Sequence, residues 1–171
     1  GANTQGFVNA NATGQIYSNK GYIVEAEDQV YVAVRVTASP QGFQASGLVS
    51  KGQAALGTEF RIGSFVNTGI GAIGSFHYTF VSILATENNT NVTFSDITQG
   101  TTFLHDPSIG SNPPPITLNR GESYVLAVTG PNFINADGLI GALVSSDKPI
   151  AVNCGSFGGT NGNNPNNLDL G

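Results

Sequence analysis

The apolar positions in the second half of the chain repeat one pattern three times: a β-rich run, a short polar turn, then a second β-rich run. Val81–Phe94 turns at Glu87–Thr90, Pro115–Val128 at Asn119–Glu122, and Leu139–Val152 at Ser146–Lys148. Period-2 alternation predicts strands on either side of each turn. The first cassette reads as a hairpin, His77–Thr86 against Asn91–Phe94. In the first half, Tyr22–Ala26 predicts a short strand turned by Glu27-Asp28-Gln29. Val30–Thr37 then alternates without a break. It puts Val30, Val32, Val34 and Val36 on one face, expected against a core, and Tyr31, Ala33, Arg35 and Thr37 on the other. Thr58–Val66 sets Phe60 and Ile62 opposite Glu59 and Arg61. Weaker strand signals lie at Phe7-Val8 and Gln15–Tyr17. Gly47–Gly57 is the one stretch that could hold a helical turn, and its glycines weaken it.

Turn signals every eight to twelve residues or so predict about a dozen short strands. The fold class is therefore all-β, an antiparallel β-sandwich or stacked-sheet module. Residues 1–19 read as N-terminal strands or a linker, 20–157 as the β-sandwich module, and 158–171 as an Asn/Gly-rich tail or a linker to a following module.

Composition narrows the setting. The chain has 171 residues, 39% of them hydrophobic and 10% charged, the latter well under the usual ~25%. Its polarity comes from Asn, Thr, Ser and Gly, which suit strands and turns. Net charge is −5, and the six Lys and Arg are scattered singly. Without a basic stripe, nucleic acid is excluded as a partner. No apolar run reaches the ~18 residues of a spanning helix. An acidic, Lys-poor, Asn/Thr-rich surface reads as extracellular. The single cysteine, Cys154, allows no internal disulfide, which points to a bacterial rather than an animal ectodomain. The chain lacks Met even at position 1, so it is expected to be a processed or excised piece.

Several landmarks together resemble a family. They are Gly57-Thr-Glu-Phe-Arg-Ile-Gly-Ser-Phe-Val-Asn67, the Ala-Thr-Glu-Asn-Asn-Thr centre of Val81–Phe94, and Ser145-Ser-Asp-Lys-Pro-Ile-Ala-Val152 running into Gly155-Ser-Phe-Gly-Gly159. Lys20–Asp28 and Leu48–Gly52 fit as well. Over roughly Lys20 to Gly171 the chain is similar to the IgGFc-binding-protein-like N-terminal domain, found in large surface adhesins of gliding Bacteroidetes that leave the cell by type IX secretion. The resemblance implies a secreted, cell-surface, all-β module whose partners are neighbouring modules of a larger surface protein. It implies no binding to immunoglobulin and supplies no functional residues.

The candidate chemistry is thin. Gly69-Ile-Gly-Ala-Ile-Gly74 matches G-x-G-x-x-G, but a strand follows it where a dinucleotide site needs a helix. A flexible loop is the better reading. Cys154, in Ile150-Ala-Val-Asn-Cys-Gly, has no base tied to it and reads as a buried structural cysteine. His105-Asp106-Pro107 could seed an acid–base pair, yet His77 is the only other histidine, so no His-rich metal site can be assembled. No G-x-S-x-G elbow occurs. Glu25, Glu27 and Asp28 cluster at one turn and are the calcium candidates, although the spacing of a calcium loop is missing. Asn161–Asn167, with Tyr78 or Tyr124, could contact glycans; a linker is the simpler reading of that tail. Sequons stand at Asn11, Asn88 and Asn91.

The expectation is a non-catalytic adhesin module with no catalytic residues and no cofactor beyond calcium. Recognition is expected on the long loops Asn67–Ser75 and Gln99–Pro114, because binding residues favour loops on a fixed scaffold. Glycans or a host or substrate surface are its candidate ligands. Two rivals stand beside it: a glycan-binding or carbohydrate-active module, which needs paired carboxylates in a cleft, and an architectural subunit that polymerises by strand donation.

Overall fold

Thr79, Val81, Ile83 and Ala85 are buried, while Phe80, Ser82 and Leu84 between them are only half-buried. This is the pleat that period-2 patterning dictates, with one face turned to a core. The computed structural model describes residues 6, 8–37, 45–64, 78–129 and 134–157. Nine strands run through them: β1 Ile16–Tyr17, β2 Ala33–Thr37, β3 Ala45–Val49, β4 Gly57–Arg61, β5 Tyr78–Ala85, β6 Thr90–Ser95, β7 Ile116–Leu118, β8 Ser123–Thr129 and β9 Leu143–Phe157. The only helical elements among the described residues are short 3-10 turns, one of them Gly52–Ala55 within the stretch predicted to hold a turn. The fold is all-β and every pairing is antiparallel.

Seven strands form one sheet in the order β1-β8-β5-β9-β6-β7, with β4 also paired to β9, and β2–β3 form a separate two-stranded ribbon. The first cassette is not a hairpin. Tyr78 to Ala85 pair with Phe157 to Ile150, and Val92 to Ser95 pair with Ser146 to Leu143. Strands β5 and β6 thus follow one another in the same direction along β9. A hairpin would need them to pair with each other; instead the length of β9 gives both a ladder.

The second cassette behaves alike. Strand β7 pairs with β6, Leu118 against Thr90, and β8 pairs with β5, Ser123 against Leu84. The third cassette is β9 itself, continuous through Asp147-Lys148-Pro149. The three turns are therefore the corners of three long bent strands lying side by side. The path through the bend lengthens from β4 to β9 to the β5–β6 strand. Gly57–Glu59 in β4 faces Ser145–Ile150 in β9, and those ends face Thr93 and Ala85 in the β5–β6 strand.

Both halves of the bent sheet feed one core. It contains Val81, Ile83, Val92, Leu118, Leu126, Val128, Val144 and Ile150, all fully buried, with Phe103 and Leu139. Each such aliphatic side chain contributes about 1.5–3 kcal/mol on leaving water. Ile62 is buried and Phe60 packs against the core, while Glu59 and Arg61 face solvent, as the alternation over Thr58–Val66 predicts.

The valine alternation ends differently. Residues 22–26 form no strand, β2 begins only at Ala33, and Val30 and Val34 are exposed. The alternation is real, but among the described residues β2 pairs only with β3, in a ribbon separate from the seven-stranded sheet.

Candidate functional site

The corner residues hold one another. At the first corner, Asn89 N–H donates to Asn119 Oδ1 (3.3 Å), while Asn88 Oδ1 accepts from Arg120 N–H (3.0 Å). Lys148 Nζ donates to the Asn88 carbonyl, and Thr86 Oγ1 donates to the Pro149 carbonyl. Asp147 takes both donors of Asn91, the backbone N–H and Nδ2, each at 2.8 Å, and these bonds hold its carboxyl below the usual carboxylate range. Thr117 Oγ1 donates to Asn91 Oδ1 (2.8 Å). At the second corner Glu122 accepts from Asn119 N–H (2.7 Å), and Gly121 takes φ +82°, a conformation that glycine adopts without strain. Asn, Asp and Thr recur here because their short side chains reach neighbouring backbone. The ridge is a row of stitches whose polar groups are largely spent on each other.

The apolar surface lies elsewhere. Tyr22, Ile23, Val24, Val30, Tyr31 and Val34 are all exposed, Tyr31 to 78% and Val24 and Val30 to 61% each. Val49 on β3 adds to them. Scattered exposed apolar residues are ordinary, but these share one stretch of chain. This stretch is anchored at one end to the second corner. Lys20 O accepts from Ser123 Oγ (3.1 Å), Ile23 lies over Gly121, and Glu25 pairs with Arg120.

The structure separates the residues singled out from the sequence. Glu25 is engaged with Arg120, an exposed pair worth little by itself. Glu27 and Asp28 are exposed beside it. Among the described residues, no group of three or more His, Cys, Asp or Glu is placed to hold a metal ion. Cys154 sits half-buried on β9, where its Sγ accepts from Gly63 N–H (3.3 Å), and it packs on the core as a structural cysteine does. Tyr124, a candidate for glycan contact, is buried on β8 beside Phe94, ring centroids 6.2 Å apart; burial pushes its phenol up.

His105 and Asp106 do not act as a pair. Asp106 caps the 3-10 turn Pro107–Ile109, and the Ser108 hydroxyl and N–H hold its carboxyl low. His105 instead lies against Gly14 and tilts over Phe103. Its burial outweighs the pull of Asp106 and lowers its pKa.

The loop 99–114 is not free to serve as a recognition loop along its first half. Phe103 is buried at 1% exposure and bridges to Val128, and Leu104 N–H donates to Ala127 O (2.9 Å). Asn135, also buried, accepts from Thr102 N–H (2.8 Å) and donates to Thr102 Oγ1 (2.9 Å). The loop 67–75 with its glycine motif, His77, and the tail 158–171 lie outside the described residues.

Around the exposed stretch, the alternation predicts a core face only for Val30, Val32, Val34 and Val36, and Val30 and Val34 are exposed.

A model of the IgGFc binding protein family matches residues 45–169, from the first residue of β3 onward. The resemblance read from the landmarks reached back to Lys20; the matched stretch begins later and leaves the exposed 22–34 stretch outside it. No curated protein and no solved structure matches the chain.

Proposed function

Because the chain belongs to the IgGFc binding protein family, we propose that it is a non-catalytic binding module of a secreted, cell-surface adhesin, of the kind carried by the large surface proteins of gliding Bacteroidetes. The observation that carries this reading is the exposed stretch 22–34, apolar and aromatic, standing beside a ridge whose polar groups are stitched together. The bent sheet acts as the mount and the stretch as the contact surface. Neighbouring modules of the same surface protein, or the surface to which it adheres, are the partners.

The triple variant Tyr22→Ser/Tyr31→Ser/Val34→Ser tests this. Exposed substitutions usually change stability by less than about 0.5 kcal/mol each, so its melting temperature is expected to stay close to that of the parent chain. Beads coated with the parent chain are expected to hold to alkyl-coated glass under flow, and beads coated with the variant to wash off. Equal retention of both, with folding intact, removes the stretch from the function.

A further inference from the structure

The stretch 22–32 carries two strand-forming runs, Tyr22-Ile23-Val24 and Val30-Tyr31-Val32, on either side of a bend at Glu27-Asp28, yet no described strand pairs with residues 22–31. The ribbon shows why. Ser50 N–H donates to Val32 O (3.0 Å), one rung past the end of β3, and the chain then enters the 3-10 turn Gly52–Ala55. Above Val32, β3 supplies no further rung. Glu27 and Asp28 sit between the two apolar runs, exposed and without an ion pair among the described residues, whereas Glu25 is held by Arg120.

We propose that this stretch receives an extended segment of another protein that alternates apolar with cationic side chains and adds to it as a strand. The inference rests on the binding-module reading above and names the partner's chemistry. Unpaired backbone in a strand-forming stretch is a template for strand addition, where main-chain bonds give affinity and side chains give choice. The apolar runs ask for alternating aliphatic groups, and the two unpaired carboxylates ask for Lys or Arg. A second copy of the chain fits poorly. Each copy carries a net charge of −5, and self-pairing would bring Glu27 and Asp28 toward their own counterparts, a juxtaposition that works against association.

The test uses two fluorescein-labelled, end-capped peptides about six residues long, the length of a common strand. One alternates valine with lysine and the other valine with glutamate. Fluorescence anisotropy reads their binding to the parent chain, to Glu27→Lys/Asp28→Lys and to Tyr31→Ser. The lysine peptide is expected to bind the parent at least about tenfold tighter than the glutamate peptide, a difference of about 1.4 kcal/mol. Charge reversal is expected to invert that preference, and Tyr31→Ser to weaken both complexes. Equal binding of the two peptides, weakened by Tyr31→Ser, overturns the cationic partner and leaves the binding surface standing. Lysine-peptide binding that Tyr31→Ser does not change reflects net charge alone and overturns the docking site. Binding of neither peptide overturns the docking site as well.

Discussion

Phe103→Ala is expected to lower the unfolding free energy by about 3–5 kcal/mol, the usual range for deleting a buried aromatic side chain. Phe103 comes from a segment that looks like a surface loop, yet it is 1% exposed and its backbone bridges to Val128 on β8. Its ring is part of the core shared by Ile83, Leu126 and Val144. Flanking bonds from Leu104 to Ala127 and from Thr102 to Asn135 limit how far the chain can collapse into the vacated space. A domain of this size is normally stable by about 5–15 kcal/mol, so the loss would be a large share of the total. Denaturant titration is expected to show a lower midpoint with an unchanged slope. A loss below about 1 kcal/mol, the level of a typical substitution, would mean that the segment is a surface loop after all.

Gly14→Ala is the second large effect. Gly14 has φ +72°, and a β-carbon built there would lie 2.2 Å from the His105 ring. Left-handed backbone costs an L-residue about 1–2 kcal/mol, and overpacking adds about 1–3 kcal/mol. Gly14 N–H also donates to Val125 O (2.8 Å), next to the β1–β8 pairing, so the chain cannot simply swing away. Adding His105→Ala in the Gly14→Ala background is expected to recover the packing part and leave the backbone part. No recovery at all would show that the two residues do not meet.

The same contact sets a pH response. Burial lowers the His105 pKa, so the unfolded chain binds its proton more readily than the folded one. The stability contributed by neutral His105 is fully present above its ordinary value near 6.5 and is lost as pH falls through the lowered one. In His105→Ala that part of the slope is expected to vanish.

The burial alternation of β5 and β6 was legible in the sequence because Val81 and Ile83, and Val92 and Phe94, recur at every second position there, whereas β8 is buried along nearly its whole length. The architecture of the corners was not. Asn88-Asn89-Thr90 is as suitable for a hairpin turn as for a bend, and the choice is made by β9, whose ladder lies more than fifty residues downstream. The valines at 30, 32 and 34 show a related limit. Their alternation is a strand signal, but it does not say whether a second layer waits to cover them; Val34 pairs with Leu48 of β3 and is exposed all the same. The loop 99–114 misled for a third reason. Its glycines and prolines mark surface chain, and one phenylalanine among them became an anchor through a single bridge to β8.

On the proposed reading the bent sheet is a mount and the stretch 22–34 makes the contact. An amide-resolved NMR titration of the intact chain with the valine–lysine peptide tests it most directly. Shifts are predicted at Tyr22 to Val34 and along β2 and β3, with the amides of Asn88, Asn91, Asn119 and Asp147 unmoved. Shifts centred on residues 99–114 or on the corner ridge, with 22–34 silent, would contradict it.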